Sequence, residues 1–122
     1  MTASILTVDD SASVRMAIRL ALGGAGYRVT EACDGQDGLA RAQAERFDMI
    51  ITDLNMPNMD GLAMIRALRG VPDQAGVPII FVTTESDLGI KAEAKAAGAT
   101  GWLVKPFQPE QIVRVAKKVL GR

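Results

Sequence analysis

Short apolar runs alternate with helical patterns along the whole of this chain. Four runs, at residues 5–8, 49–52, 79–82 and 102–104, are rich in residues that favour strands, and a more polar run spans residues 28–32. Each run is followed by a stretch whose apolar residues recur every three or four positions, as they do on one face of a helix. This alternation is typical of βαβ units built around a parallel sheet.

Five strands in alternation with five helices leave few topologies once the crossovers are right-handed. A chain of 122 residues has the size of one domain. We therefore predict an α/β fold, a single doubly wound (βα)5 domain of the flavodoxin-like class that spans residues 1–122 and has the parallel strand order 2-1-3-4-5. In this order the first and third strands are neighbours, and ligands bind outside the carboxyl ends of the strands.

Helical spacing and glycine or proline residues mark the predicted helices. In the first helix, the apolar side chains at 14, 17, 18, 21 and 22 share one face, while Arg15 and Arg19 lie on the other. Gly23, Gly24 and Gly26 end this helix, and Pro109 is suited to the first turn of the last one.

Polar residues directly follow four of the predicted strands, and they are Asp9 and Asp10, Asp53, Thr83 and Lys105. Because the carboxyl ends of parallel strands meet at one edge of the sheet, we expect these acids, hydroxyl and amine to converge there. Each residue taken alone also has a structural explanation. Asp9 or Asp10 can cap the first helix, and a lysine before a proline is often only a solvated side chain.

The three aspartates need a positive partner if they share one crevice. At about 4 Å and an effective dielectric near 20, each pair of carboxylates repels by on the order of 4 kcal/mol. Oxygen ligands without histidine or cysteine suit a hard cation, and a small cluster that leaves room for waters suits Mg²⁺ better than Ca²⁺. The sequence therefore predicts a magnesium site formed by Asp9, Asp10 and Asp53, with the Lys105 ammonium beside it.

The remaining composition restricts both chemistry and partners. The chain has no histidine, one cysteine (Cys33), and 14 basic against 14 acidic residues. Chemistry must then use carboxylates, hydroxyls and lysines, and the zero net charge argues against a nucleic-acid surface. Cys33 cannot form an internal disulfide, Asp9 and Asp10 lie where a signal peptide would be basic and apolar, and no apolar run has the length of a membrane span. We expect a cytoplasmic protein without membrane or nucleic-acid partners.

The chain resembles the receiver domain of two-component response regulators. The resemblance covers essentially the whole sequence, and the residues that carry it are Asp9-Asp10, Asp53, Met56-Pro57, Asp60-Gly61, Thr83 and Lys105-Pro106. Because no output domain follows in the sequence, we expect the stand-alone chemotaxis type, the CheY type.

The resemblance implies a phosphoacceptor in signal transduction, not an enzyme that acts on a separate substrate. Asp53 would take a phosphoryl group from a phosphohistidine of a partner histidine kinase, since this chain has no histidine. Mg²⁺ would be held by Asp9, Asp10, Asp53 and the backbone carbonyl of Asn55, and would neutralise charge during transfer. The protein would catalyse only its own phosphorylation and dephosphorylation.

The resemblance also implies a switch. Lys105 and Thr83 would bind the remaining phosphoryl oxygens, and their inward movement would bias a two-state loop. Trp102 stands where the family usually has Tyr or Phe, and would swing inward as Thr83 moves. The alternative is a large residue that packs across the last strand and helix. Asn55 and Glu85, each two residues after a site residue, would govern water access to the acyl phosphate and so tune dephosphorylation.

Phosphorylation would change the face formed by the fourth helix, the fifth strand and the fifth helix, so that it binds a downstream target. The outward residues expected there are Lys91, Trp102, Arg114, Lys117 and Lys118. In chemotaxis and flagellar motor control the target would be a motor switch protein or a phosphatase. The alternative is a stand-alone receiver outside motor control, acting as a phosphate sink, a phosphorelay intermediate or a kinase regulator through the same site.

Two further classes of protein share parts of this pattern. A nucleotide- or flavin-binding module is disfavoured because the turn Asp9-Asp10-Ser11 repels phosphate, and because the glycines of residues 23–26 end a helix where no dinucleotide fingerprint belongs. An aspartyl phosphatase also forms a phospho-aspartate, but it would have a second acid where this chain has Asn55.

Overall fold

A computed structural model of the protein describes residues 2–71, 76–84 and 88–121, in which five strands alternate with five helices. The strands are β1 (Ser4–Val8), β2 (Arg28–Ala32), β3 (Met49–Thr52), β4 (Ile79–Thr83) and β5 (Gly101–Val104). The helices are α1 (Ala12–Gly24), α2 (Gly35–Ala44), α3 (Gly61–Arg69), α4 (Leu88–Ala96) and α5 (Pro109–Leu120). All strands pair in parallel in the order β2-β1-β3-β4-β5, which confirms the predicted topology.

Helices cover both faces of the sheet, which explains why its central strands are continuously apolar. In β4, Ile79 and Phe81 pack with α2, α3 and α4, while Ile80 and Val82 pack with α1 and α5. Every residue of β3 and β4 is buried. In the part of the chain that the structure describes, no helix has both the length and the apolar character needed to cross a membrane.

The N-cap of α1 is neither of the two acids that could have capped this helix. Ser11 is the N-cap, and its side chain accepts a hydrogen bond from the Val14 amide at 3.3 Å. Neither Asp9 nor Asp10 caps the helix, so the structural explanation for these two acids is wrong. Their carboxylates are left for the crevice beyond β1.

The buried face of α1 differs from the predicted one at two positions. Ala17, placed on the core face by that spacing, is exposed, whereas Arg15 on the expected solvent side is partly buried. The guanidinium of Arg15 pairs with Glu31 of β2 at 3.3 Å and donates to the backbone carbonyl of Asp9. These polar contacts turn Arg15 towards the sheet, while Ile18 keeps its place in the core.

The start of α2 is joined to the loop that follows β3. Asp34 caps α2 by accepting from the Asp37 amide at 2.8 Å, and its other oxygen accepts from the Asn58 side chain at 2.8 Å. These hydrogen bonds, that of Asp37 first, lower the pKa of Asp34 below its ordinary value. The Gly35 amide donates to the Met59 carbonyl at 3.0 Å, and a Cβ at Gly35 would collide with that carbonyl. Residue 35 must therefore be glycine for the loop to approach.

We predict that Gly35→Ala lowers the free energy of unfolding by about 1–3 kcal/mol, because the added methyl overpacks against Met59. Gly23→Ala is the matched control, since a Cβ there meets nothing within 4 Å. The control substitution should raise the free energy of unfolding by about 0.5–1 kcal/mol, because alanine favours the helix more than glycine does. Urea unfolding measures both changes, and equal stabilities for the two variants would contradict the close approach.

Candidate functional site

The ladders of the sheet continue one residue beyond the strands and place the site residues at one edge. The amide of Asp9 donates to the Ala32 carbonyl at 3.1 Å, and that of Asp53 donates to the Val8 carbonyl at 2.9 Å. On the other side of the sheet, the Lys105 amide donates to the Thr83 carbonyl at 2.9 Å. The residues that follow β1, β3 and β5 are thus fixed by the same kind of bond as the strands themselves.

The three aspartates converge as the sequence predicts. One carboxylate oxygen of each of Asp9, Asp10 and Asp53 lies within 4.8 Å of the other two. Asp9 and Asp53 are buried, at 2% and 8% exposure, whereas Asp10 is exposed at the mouth of the crevice. The cluster therefore has two buried acids and one that is open to solvent.

Lys105 reaches the crevice from the end of β5, the edge strand opposite β2. Its ammonium lies 2.8 Å from Asp9 Oδ2 and 3.2 Å from Asp53 Oδ2, and its side chain is only 15% exposed. Burial alone would lower the pKa of Lys105, but the hydrogen bonds and charges of Asp9 and Asp53 outweigh burial and raise it. Lys105 is thus a charged partner of the acids, not a solvated side chain beside Pro106.

The surroundings of Asp9 shift the pKa of its carboxyl. Burial raises the pKa of the Asp9 carboxyl above its ordinary value, although the Lys105 ammonium and the Ser11 amide, which donates to Oδ1 at 2.9 Å, act to lower it. The charge of Asp53 also raises it. The Lys105 ammonium and the Ser11 amide thus do not fully offset the effects of burial and of Asp53 on Asp9.

The donor set and its charge fit a hard divalent cation. The clustered ligand atoms are carboxylate oxygens, which Mg²⁺ and Ca²⁺ prefer, and the site keeps net negative charge in the presence of Lys105. Asp10 lies at the solvent side, where a small ion can retain waters. The residues present therefore fit the predicted magnesium ion.

The loop after β3 holds Asp53 closely. Asp53 Oδ1 accepts from the Leu54 amide at 2.7 Å, and the Gly61 amide donates to the Leu54 carbonyl at 2.9 Å. A Cβ at Gly61 would collide with the Asp53 carbonyl and the Phe81 ring. Asp60 caps α3 by accepting from the Ala63 amide at 2.8 Å. The Asp60-Gly61 pair thus begins α3 directly beneath the site.

Thr83 and Trp102 lie at and near the carboxyl ends of β4 and β5. Thr83 is buried, at 1% exposure. Trp102 is partly buried beside Phe81, with ring centroids 5.5 Å apart, and the Lys91 ammonium lies 5.6 Å from the Trp102 ring centroid. Trp102 therefore packs on the α4 side of the sheet, and its inward movement stays a prediction.

The remaining predicted residues lie at the rim or outside the described ranges. Asn55 is exposed in the loop after β3, and the role of its carbonyl stays a prediction. Glu85 lies outside the described residues. Ser11 and Arg15, which contact Asp9, were missed as site residues, and the signal for Ser11 is its position as a helix N-cap before an apolar run.

The outward basic residues line different grooves. Lys91 and Lys118 each lie beside Trp102, on the face of α4, β5 and α5. Arg114 and Lys117 instead line a groove with Ala21 of α1. Arg114, Lys117 and Lys118 are all exposed on α5, and one target-binding surface shared with Lys91 and Trp102 stays a prediction.

Residues 5–117 match the family described as the response regulator receiver domain. The chain belongs to this family. Among solved structures, the chemotaxis response regulator CheY4 of Vibrio cholerae is 47% identical, with a TM-score of 0.94 over 98% of this chain and 100% of that chain. The receiver domain of the sensor histidine kinase PA1611 of Pseudomonas aeruginosa PAO1 is 30% identical, with a TM-score of 0.91 and full coverage of both chains, and has a magnesium ion coordinated in its active-site cleft.

Curated relatives of this receiver domain include a regulator of transcription. The transcriptional regulatory protein ResD of Bacillus subtilis (strain 168) is 33% identical over 118 residues, which are 97% of this chain and 48% of ResD. The chain thus spans about half the length of that relative. The likeness to ResD concerns the receiver part alone.

We predict that Lys105→Met lowers the free energy of unfolding by about 1–3 kcal/mol at pH 7 without divalent cations, because Asp9 and Asp53 lose their charged partner. The pKa of Asp9 is raised, so acidification protonates this carboxyl and removes the unpaired charge. The loss should therefore shrink as the pH falls towards 4.

Urea unfolding at several pH values, with a chelator present, measures this dependence. Lys118→Met, on the exposed face of α5, is the matched control and should leave stability nearly unchanged at each pH. A loss for Lys105→Met that is independent of pH would contradict the assignment to Asp9.

Proposed function

We propose that this receiver domain, over residues 1–122, accepts a phosphoryl group on Asp53 from a phosphohistidine of a partner histidine kinase. The observation that supports this most directly is the setting of Asp53. Its carboxylate is buried, contacts the Lys105 ammonium at 3.2 Å, and lies within 4.8 Å of two further acids. Such a site can offer a carboxylate nucleophile together with the positive charge that an incoming phosphoryl group needs.

In the transfer, a carboxylate oxygen of Asp53 attacks phosphorus and forms the P–O bond of an acyl phosphate. The P–N bond to the kinase histidine breaks, and its electron pair stays on the imidazole nitrogen. We place the donor histidine outside these 122 residues, because they contain no histidine. Little acid or base chemistry is required of the receiver, so its contribution is positioning and charge stabilisation.

We assign the metal ligands to Asp9, Asp10, Asp53 and the backbone carbonyl of Asn55. When bound, Mg²⁺ neutralises charge on the carboxylates and on the phosphoryl oxygens. The magnesium ion in the related PA1611 receiver supports this assignment. Asp9 and Asp53 supply buried oxygens, whereas Asp10 supplies one at the solvent side.

Lys105 and Thr83 are assigned to the remaining phosphoryl oxygens. Moving a two-state equilibrium from 1:99 to 99:1 requires about 5.5 kcal/mol of differential interaction. Hydrogen bonds to charged groups contribute about 1.5–3 kcal/mol each, so about two to four such contacts suffice. Trp102 is assigned as the residue that moves inward when Thr83 moves. Asn55 and Glu85 are assigned to the control of water access, and so to the lifetime of the acyl phosphate.

We predict that acetyl phosphate with Mg²⁺ adds one phosphoryl group to the wild-type protein, and that Asp53→Asn abolishes this addition. Intact-mass spectrometry measures the product. Asp60→Asn is the matched control, since it keeps the cap of α3 in the same loop and should be labelled normally. A chelator should also abolish labelling.

Labelling of Asp53→Asn at the wild-type level would place the acceptor on another residue. Labelling that is unaffected by the chelator would refute the metal assignment while leaving Asp53 as the acceptor.

For the output, we propose chemotaxis and flagellar motor control, in which the face of α4, β5 and α5 of the phosphorylated protein binds a motor switch protein or a phosphatase. The 47% identity to CheY4, over the full length of that protein, supports this proposal. The zero net charge also supports a protein partner over nucleic acid. Like other receivers, the chain would serve as a cytoplasmic phosphoacceptor in signalling.

A role outside motor control is the second candidate. The likeness to ResD favours this candidate, because it shows that related receiver domains act in regulators of transcription. In that case the chain would act as a phosphate sink, a phosphorelay intermediate, a kinase regulator or the receiver part of a longer regulator.

We predict that the phosphorylated protein retains the flagellar motor switch protein of its own source organism at least tenfold more strongly than Asp53→Asn does. Affinity capture with purified motor protein, with and without acetyl phosphate, measures this difference. Lys91→Ala should weaken retention, since Lys91 lies beside Trp102, whereas Arg41→Ala on α2 should not. Equal retention of both phosphorylation states would favour the second candidate.

A further inference from the structure

Each polar atom of Asp9 has a hydrogen-bond partner, and one of these partners is a side chain that the phosphoryl chemistry does not use. Oδ1 accepts from the Ser11 amide, Oδ2 accepts from Lys105, and the amide donates to the Ala32 carbonyl. The backbone carbonyl accepts from Arg15 Nη1 at 2.6 Å. This last bond is charge-assisted, and it comes from the first turns of α1 back to the end of β1.

Arg15 is itself held in place. Its Nε lies 3.3 Å from Glu31 Oε1 on β2, and its side chain is 18% exposed. A guanidinium donates in a planar fork, so a carboxylate on one side and a carbonyl on the other fix its orientation. Arg15 thus joins α1, β2 and the residue that follows β1.

The bond to the Asp9 carbonyl bears directly on Asp10. The carbonyl of Asp9 and the amide of Asp10 belong to one planar peptide unit, which moves as a rigid body. When Arg15 holds the carbonyl, it also sets the direction in which the Asp10 backbone, and therefore its carboxylate, leaves the strand. Asp10 is exposed, so packing of its own side chain adds little to that direction.

We propose that Arg15 is a positioning residue of the metal site, which acts through the Asp9–Asp10 peptide to hold the Asp10 carboxylate towards the cation. This inference rests on the proposed Mg²⁺ site. Arg15 does not touch the ion. It reduces the conformational freedom that Asp10 loses when the ion binds.

The sign of the effect separates positioning from charge. A guanidinium near a cation site repels the cation, so by charge alone Arg15→Ala would tighten Mg²⁺ binding. Positioning has the opposite consequence. Loss of a group that orients a metal ligand typically weakens metal affinity by 10- to 100-fold, and we expect about tenfold for Arg15→Ala.

Calorimetric titration of the full chain with Mg²⁺ at neutral pH tests the proposal. Arg19→Ala is the matched control, since Arg19 also pairs with Glu31 at 3.3 Å from the same helix, one turn further on, but is 48% exposed. It should bind Mg²⁺ as tightly as the wild type. Hydrogen exchange supplies a readout independent of the metal, because the Ser11 amide beside Asp10 should exchange faster in Arg15→Ala but not in Arg19→Ala.

Arg15→Lys keeps the charge but loses the planar fork, so it should bind Mg²⁺ more weakly than the wild type and more tightly than Arg15→Ala. If Arg15→Ala does not fold, Arg15→Lys still tests the inference. A Mg²⁺ affinity that is unchanged or tighter in a folded Arg15 variant would overturn the inference. Saturable Mg²⁺ binding by the wild type would then still leave the proposed function in place. Absence of saturable Mg²⁺ binding by the wild type would overturn the metal assignment and this inference together.

Discussion

The contact of the Lys105 ammonium with Asp9 and Asp53 is the interaction on which the site depends. Lys105 follows β5 and Asp9 follows β1, so the bond of 2.8 Å joins strand ends that share no ladder. It places positive charge against two buried carboxylates, of which Asp9 still has a raised pKa. The remaining negative charge leaves the crevice suited to a divalent cation.

The strand order and the convergence of the acids could be predicted because both follow from short-range patterns. Apolar runs define the strands, and each run ends at the residue whose side chain enters the crevice. Right-handed crossovers then leave little freedom in the order of the strands. Once β1 and β3 are neighbours, Asp9 and Asp53 must lie close together. The position of Lys105 follows in the same way from the end of β5.

The details that the sequence did not reveal depend on side-chain hydrogen bonds between distant segments. Helical spacing placed Ala17 in the core and Arg15 in solvent, but it cannot register a carboxylate on β2 that draws Arg15 inward. The bond between Asp34 and Asn58 spans 24 residues and has no local signature. Which groove Arg114 lines likewise depends on the angle at which α5 packs, which the spacing of its apolar residues does not determine.

The low burial of β5 has a mechanical consequence. Among the five strands described, it alone has no buried residue, whereas β3 and β4 are buried throughout. A small displacement of this edge strand therefore disturbs fewer packed side chains than the same displacement of any central strand. Trp102 lies in this edge strand and Lys105 directly follows it, whereas the aspartates follow the well-packed central strands β1 and β3. Displacement of β5 can thus accommodate a change in charge at Asp53 while the central strands keep their positions.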